Sequence, residues 1–567
     1  MSASTSSGPS RVRPHFWQAA WRFAVAVALT TCAAGCASLP SNTGRTASTA
    51  FAAPQQTALG RLVLERRARE GTRHQSGFHL LDSVDAAFTS RLALIAAAQR
   101  SLDLQYYAIH ADASTETLLQ ALRDAARRGV RIRILLDDFN TVGDDAQVLR
   151  LAFEPNVEIR LFNPLTGSRS SLVGRLFTSL HDFGRIQKRM HNKLFIADNA
   201  MGITGGRNLG DSYFGSGDRS NFVDLDVLAA GAIVRDMSAS FDRYWNDELA
   251  YPVQSLLSAR DLERLRERAP DGGAPGGAQP AGVLPVAAAP APAPTLTGSI
   301  LPDLTATRVV TAAPQPMDLA RVRLVWAPAV LLVDEPGKIG PDDDEVDAGE
   351  TVIDGLLQLM QQARQDILIV SPYFVPGAAM MEVFGQVRAK GVRIRVLTNS
   401  LASNDAPAAH AGYARYRQRL LQQGVELYEM RATQEGNVSG LGSTPGLGSG
   451  GGGSKSGVSR ASLHSKAVIL DQRLAVIGSM NLDLRSQRKN SEVALLIRSR
   501  TLSREAARQV DAMLAQGAYR VRLDGGRLAW EAPAGASFPS ARSEPDASLR
   551  LRLLVRLIAP LAPDEML

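Results

Sequence analysis

Apolar positions along the chain switch between two periods, and the switching itself repeats. From Val84 to Gln99 they recur at helical spacing, and SLDLQYYAI (Ser101 to Ile109) then alternates as a buried strand does. A second helical stretch, Thr115 to Arg128, leads into GVRIRILLDD, a strand ending at Asp137 and Asp138, and another helix and the strand NVEIRLF follow. Strands alternating with helices predict an α/β fold, a sheet with helices on both faces. The second half runs in the same order: DILIVSPYF (Asp366 to Phe374) stands for SLDLQYYAI, GVRIRVLTNS (Gly391 to Ser400) for GVRIRILLDD, and GVELYEM (Gly424 to Met430) for NVEIRLF. The repeated unit is a whole domain, so the chain is an internal duplication.

Breaks in the pattern divide the chain. Residues 1–36 read as an export segment, 37–75 as a polar leader, and 76–250 as the first domain. Residues 251–320 read as a helix and a linker that is rich in Pro, Ala and Gly from Ala269 to Ala306. The second domain spans 321–515 and carries a Gly/Ser-rich insertion at 434–457, with a carboxyl extension at 516–567. Inside the insertion, GGGGSKS has Ser454 where a phosphate loop needs glycine, so it reads as a flexible loop. In the extension, SLRLRLLVRLIAPLAP from Ser548 mixes Arg550, Arg552 and Arg556 with leucine and isoleucine. That pattern fits either an amphipathic helix lying on anionic lipid or a helix docked on the body with its arginines in water.

Charge and the amino terminus narrow the partners. A formal net charge of +7 favours an anionic partner, nucleic acid or an acidic lipid surface. Arg11, Arg13 and Arg22 precede the apolar run from Phe23 to Leu29, the layout of an export signal. The AAGC that ends at Cys36 resembles a bacterial lipobox, with Ala33 where leucine is usual, and predicts acylation at Cys36. An uncleaved anchor is the alternative, and either places the chain at a membrane, most simply as a lipoprotein on the periplasmic face. Cys32 and Cys36 are the only cysteines, so an acylated mature chain has no thiol for a disulfide or a metal site.

The candidate chemistry lies in two stretches, MHNKLFIADNAMGITGGRN (Met190 to Asn208) and LHSKAVILDQRLAVIGSMN (Leu463 to Asn481). His191, Lys193, Asp198, Gly205 and Asn208 answer to His464, Lys466, Asp471, Gly478 and Asn481 at a constant offset of 273 residues. On a strand, positions i and i+2 share a face, so each imidazole should project beside an ammonium. The small-residue turn that follows can bring the Asn amide and backbone N–H groups to an anion, and the set suits phosphate. A single H-x-K is commonplace, whereas two copies in register are not. Asp198 and Asp471 belong to the candidate catalytic set by motif, but their spacing from the histidines points to a structural role. Each His also needs an acceptor to fix its tautomer. Asp224 in NFVDLDV and Glu492 in NSEVALL are the candidates, with Asp226 near enough to compete.

These paired motifs resemble the HKD motifs, H-x-K-x4-D with G-[GS]-x-N, of the phospholipase D superfamily. LDLQYY, LLDDFNT, SPYFVP, VLTNSLASND and HAGYARYR are similar to its bacterial cardiolipin synthase branch. The resemblance implies two tandem α/β domains, each a mixed sheet flanked by helices, with one active site at their interface. It implies His191 as nucleophile and His464 as general acid and base, with Lys193, Asn208, Lys466 and Asn481 on the phosphate and no metal or other cofactor. It implies transfer of a phosphatidyl group to phosphatidylglycerol from a second phosphatidylglycerol or from phosphatidylethanolamine. Hydrolysis by the same residues, a phospholipase D reaction, is the alternative. A nuclease or other phosphodiesterase is disfavoured because superfamily nucleases of the bacterial kind are short single-motif chains, so no nucleic-acid partner is expected.

Overall fold

A computed structural model of the chain describes residues 39–141, 143–166, 182–215, 221–257, 263, 314–340, 351–434, 459–560 and 564. The segment containing Cys36, the linker at 269–306 and the insertion after residue 434 lie outside them. Within each half a parallel core forms where the sequence alternates. Ser101–Tyr106 lies between Arg131–Asp137 on one side and the antiparallel Leu194–Ala197 on the other, with Leu102 opposite Ile132 and Ala197. Val157–Phe162 continues the parallel set beyond Arg131–Asp137. The crossover helix Ala113–Arg127 starts where the Asp112 carboxylate accepts the Thr115 N–H and turns Leu118, Leu119 and Leu122 into the core. The second half does the same with Asp366–Val370, Arg393–Asn399 and Glu426–Met430, and each sheet has nine strands of mixed direction.

Three stretches are tied to the sheets more closely than composition suggests. The leader runs extended along the first domain, where Ser48 N–H donates to Asn246 Oδ1 at 3.0 Å and the Asn42 amide donates to the Ala250 carbonyl at 3.1 Å. Val325–Trp326, placed by sequence in the second domain, pairs with Ser76–Leu81 of the first sheet. Ala518–Asp524 and Arg527–Glu531, read as extension, complete the edge of the second sheet. Each case satisfies the open backbone groups of a sheet edge or helix end, a demand that composition does not reveal.

The inner faces of the two sheets share one apolar core, in which Leu80 and Val227 join Leu368, Ile477 and Leu495 together with Phe241 and Val510 from two helices. Two short parallel pairings cross the same interface: Asn221–Val223 with Ser459–Leu463, and Arg189–Met190 with Asn490–Ser491. The carboxyl extension ends in the helix Leu549–Ile558, packed against the helix Pro407–Gln422. No helix among the described residues is long and apolar enough to cross a membrane.

Candidate active site

Each histidine stands where its chain leaves a short strand at the domain interface and enters the main sheet of its own half. His191 follows Arg189–Met190 and precedes Leu194–Ala197, and His464 sits likewise between Ser459–Leu463 and Ala467–Leu470. The H-x-K tripeptides are therefore extended links, not the interior of a strand. The ends of the second parallel strands hold these links in place. Asp137 accepts the Met190 N–H at 2.8 Å, and Asn399 Oδ1 accepts the Leu463 N–H at 2.9 Å, so each fixes the residue before a histidine. Burial drives the Asp137 carboxyl up to about 6, opposed by the Arg189 guanidinium.

The histidines are oriented across the interface. His191 Nδ1 lies 2.9 Å from Glu492 Oε2, and His464 Nδ1 lies 2.8 Å from Asp224 Oδ2, so each half supplies the acceptor for the other half's imidazole. Backbone bonds hold the same crossing, His191 N–H to the Ser491 carbonyl at 3.0 Å and His464 N–H to the Val223 carbonyl at 2.9 Å. Asp226 goes elsewhere, to Arg91 at 2.9 Å and Arg207 at 3.4 Å. With a carboxylate at each Nδ1–H, the lone pair is left on Nε2, and both rings line one cleft of about 350 Å³.

The two halves are not identical. Glu492 also accepts from the Ser479 and Ser486 hydroxyls at 2.5 and 2.8 Å. Asp224 instead accepts its neighbour's Leu225 N–H at 2.9 Å, and opposite it stands Gly206, the counterpart of Ser479. A Cβ at Gly206 would stand 2.2 Å from Asp224 Oδ1. Gly206→Ala should push that carboxylate off His464 and cut turnover about 100-fold, since small misplacements of catalytic groups cost that much. Steady-state rates beside a melting curve check this, and a folded variant of normal rate would show that the Asp224 contact is dispensable.

Burial sets the charges. It drives His191 down to about 4 and His464 to about 3, against the opposing pull of Glu492 and Asp224, so both imidazoles are neutral near pH 7. Desolvation also lowers Lys193 to about 7 and Lys466 to about 8, with Glu492 and Asp224 respectively pulling back. The two ammonium groups donate to the His191 and His464 carbonyls at 2.8 and 2.5 Å. Two desolvated cations attract a nearby anion more strongly than solvated ones would.

The remaining motif residues divide. Asn208 and Asn481 line the cleft; Asn208 donates to Tyr213 Oη at 2.9 Å, and Asn481 Oδ1 is buried with no partner among the described residues. Asp198 and Asp471, candidates by motif, do not reach the cleft. They sit in turns at φ of 53° and 51°, at the far ends of the strands that follow the links. There Asp198 accepts the Gln99, Arg100 and Ser101 N–H groups, and Asp471 those of Arg364, Gln365 and Asp366. They tie the turns to the starts of neighbouring strands, which corrects their place in the catalytic set. Sequence reasoning missed Tyr107, Tyr213, Tyr373, Asp405, Asp483 and Arg485, which also line the cleft. Tyr107, Tyr373 and Asp405 lie in segments singled out above, but no spacing marks them as facing the histidines. Among the described residues no three His, Cys, Asp or Glu side chains are grouped to hold a metal ion.

Comparison with known proteins fits this architecture. Residues 92–245 and 356–514 match the family described as cardiolipin synthase, PLD-like domain. The chain is 35% identical to cardiolipin synthase C of Escherichia coli (strain K12) over 87% of its own length and 96% of that protein. It is 26% identical to cardiolipin synthase A of Pseudomonas entomophila (strain L48), over 77% of this chain and 67% of that one. Among solved structures, phosphatidylserine synthase of Haemophilus influenzae Rd KW20 superposes with a TM-score of 0.53 at 12% identity, covering 88% of this chain and 98% of that one, which shows a shared fold. The chain belongs to the phospholipase D superfamily, in its cardiolipin synthase branch.

Proposed function

We propose that this enzyme is a phospholipid phosphatidyltransferase that makes cardiolipin, moving a phosphatidyl group onto the free hydroxyl of phosphatidylglycerol through a covalent phosphohistidine. The observation that carries the reading is the pair of neutral imidazoles, each held at Nδ1 by a carboxylate of the other half, both lining one cleft. His191 Nε2 attacks the phosphorus of the donor lipid. The bond to the departing headgroup oxygen breaks as His464 delivers a proton to it. In the second step His464 takes the proton of the acceptor hydroxyl, the new oxygen attacks phosphorus, and the P–N bond returns its electrons to His191.

His464 must carry a proton when the donor arrives, although burial and Lys466 hold it down to about 3. The substrate supplies the change. A phosphodiester anion between Lys193 and Lys466 offsets the two charges that help hold the imidazole neutral. The lysines, with Asn208 and Asn481, then carry the charge on the non-bridging oxygens as the transition state forms. Family membership and the +7 charge support a phospholipid surface as the place of work. An exported, membrane-attached location is the accompanying proposal, resting on the amino-terminal sequence.

The test is lipid analysis of the purified protein with phosphatidylglycerol, with and without phosphatidylethanolamine, in the presence of a chelator. Cardiolipin is expected to form undiminished, because the charge on phosphate comes from lysine, and dependence on phosphatidylethanolamine would identify the donor. Phosphatidic acid as sole product would replace the transferase reading with hydrolysis.

A further inference from the structure

The helix Leu549–Ile558 is apolar on two opposite sides. It starts where Ser548 Oγ accepts the Leu551 N–H at 3.2 Å. One side docks: Val555 is buried, and Leu551 and Ala559 pack with it against Leu401, Ala402, Ala411 and Ala432. Arg552 on the edge of that side is pinned, donating to the Glu544 carbonyl at 2.6 Å. The opposite side is uncovered among the described residues. Leu549, Leu553 and Leu557, spaced by four, are 72%, 49% and 71% exposed, and Leu554 beside them is 45% exposed. Only Leu64 and Val330 elsewhere among the described residues are large apolar side chains as exposed. Arg550 and Arg556 flank the leucines, exposed and without an ion-pair partner among the described residues.

We infer that this outer face is the surface by which the protein docks on an anionic phospholipid bilayer. A docked helix needs one apolar stripe, and among the described residues nothing covers the second. Leucines flanked by arginines match the acyl boundary and the phosphates of a lipid surface. A second copy of the chain fits less well, because a twofold contact through this stripe would bring the arginines of the two copies together. The placement suits the work. The docked side rests on the helix Pro407–Gln422, whose first turn, with Asp405 and Ala406 before it, lines the catalytic cleft. The inference takes its lipid class from the reading above, but the test needs no turnover and stands or falls separately.

The test uses the full chain with Cys32→Ser and Cys36→Ser, and an environment-sensitive dye attached through Leu557→Cys. With phosphatidylglycerol vesicles the emission should shift to the blue and be quenched by nitroxide-bearing lipid; phosphatidylcholine vesicles should give a weaker shift. The same dye through Glu382→Cys, exposed on another helix, reports the bulk of the protein. Adding Arg550→Glu and Arg556→Glu should weaken the response to phosphatidylglycerol at least about 30-fold in lipid concentration, from the contribution of a basic residue at an anionic surface. These positions are exposed, so melting temperature should hold. A chain that floats with vesicles while the dye at 557 stays in water would overturn the inference. So would a dye already shielded without lipid in a chain of doubled mass, which would assign the face to a second copy.

Discussion

Replacing His191 by alanine should lower phosphatidyl transfer by roughly four orders of magnitude or more, as loss of a nucleophile that works as part of a unit does. The fold should survive, because Glu492 keeps the Ser479 and Ser486 hydroxyls. His464→Ala should be as damaging with natural lipids, since the departing alkoxide and the incoming hydroxyl both need a proton moved. The two variants separate on an aryl phosphodiester, whose phenolate leaves without a proton. His464→Ala should then release a burst of one equivalent of phenol and hold the phosphoryl group on His191, whereas His191→Ala should give no burst. A burst from His191→Ala, with label trapped on His464, would exchange the two roles.

Glu492→Gln should cost roughly three to four orders of magnitude in turnover, the scale seen when a buried orienting carboxylate becomes an amide and the imidazole takes the wrong tautomer. The side chain keeps its size, so the loss is electronic. Glu492 belongs to the second half and the attacking His191 to the first, so on the aryl substrate Glu492→Gln should abolish the burst. Asp224→Asn, acting through His464, should leave the burst and stall the second step. The reverse pattern would mean that each carboxylate serves the histidine of its own half during the reaction.

Much of this was legible before any coordinates. The constant offset between the motifs located the histidines, lysines and asparagines, and the strand periods placed the parallel cores to within a few residues. Asp224 and Glu492 were legible as orienting acceptors, but not which histidine each serves. They stand in comparable places after the motifs of their own halves, so pairing within a half and pairing across halves read alike. The strands that decide between them, Asn221–Val223 beside Ser459–Leu463 and Arg189–Met190 beside Asn490–Ser491, are only two to five residues long. Asp198 and Asp471 enter the catalytic set only as motif members; their spacing from the histidines points to the structural role they have, each binding three backbone N–H groups at a turn. The carboxyl-terminal pattern supported two alternatives, and the helix takes the docked one on one side while its other side carries the free leucines.

The crossed pairing of each histidine with the opposite half's carboxylate bears on how such a chain can arise and change. A lone half with this arrangement would own an imidazole with no orienting partner and a carboxylate with nothing to orient, so it would be inert until it met a twin. Joining two twins in one gene adds no second centre of reaction; it makes the partnership permanent. Once permanent, the twins are free to differ. Ser479 where the other half has Gly206, and a glutamate where it has an aspartate, are divergences that a symmetric pair, encoded once, could never have acquired. One lineage of residues can then specialise in attack and the other in handling protons.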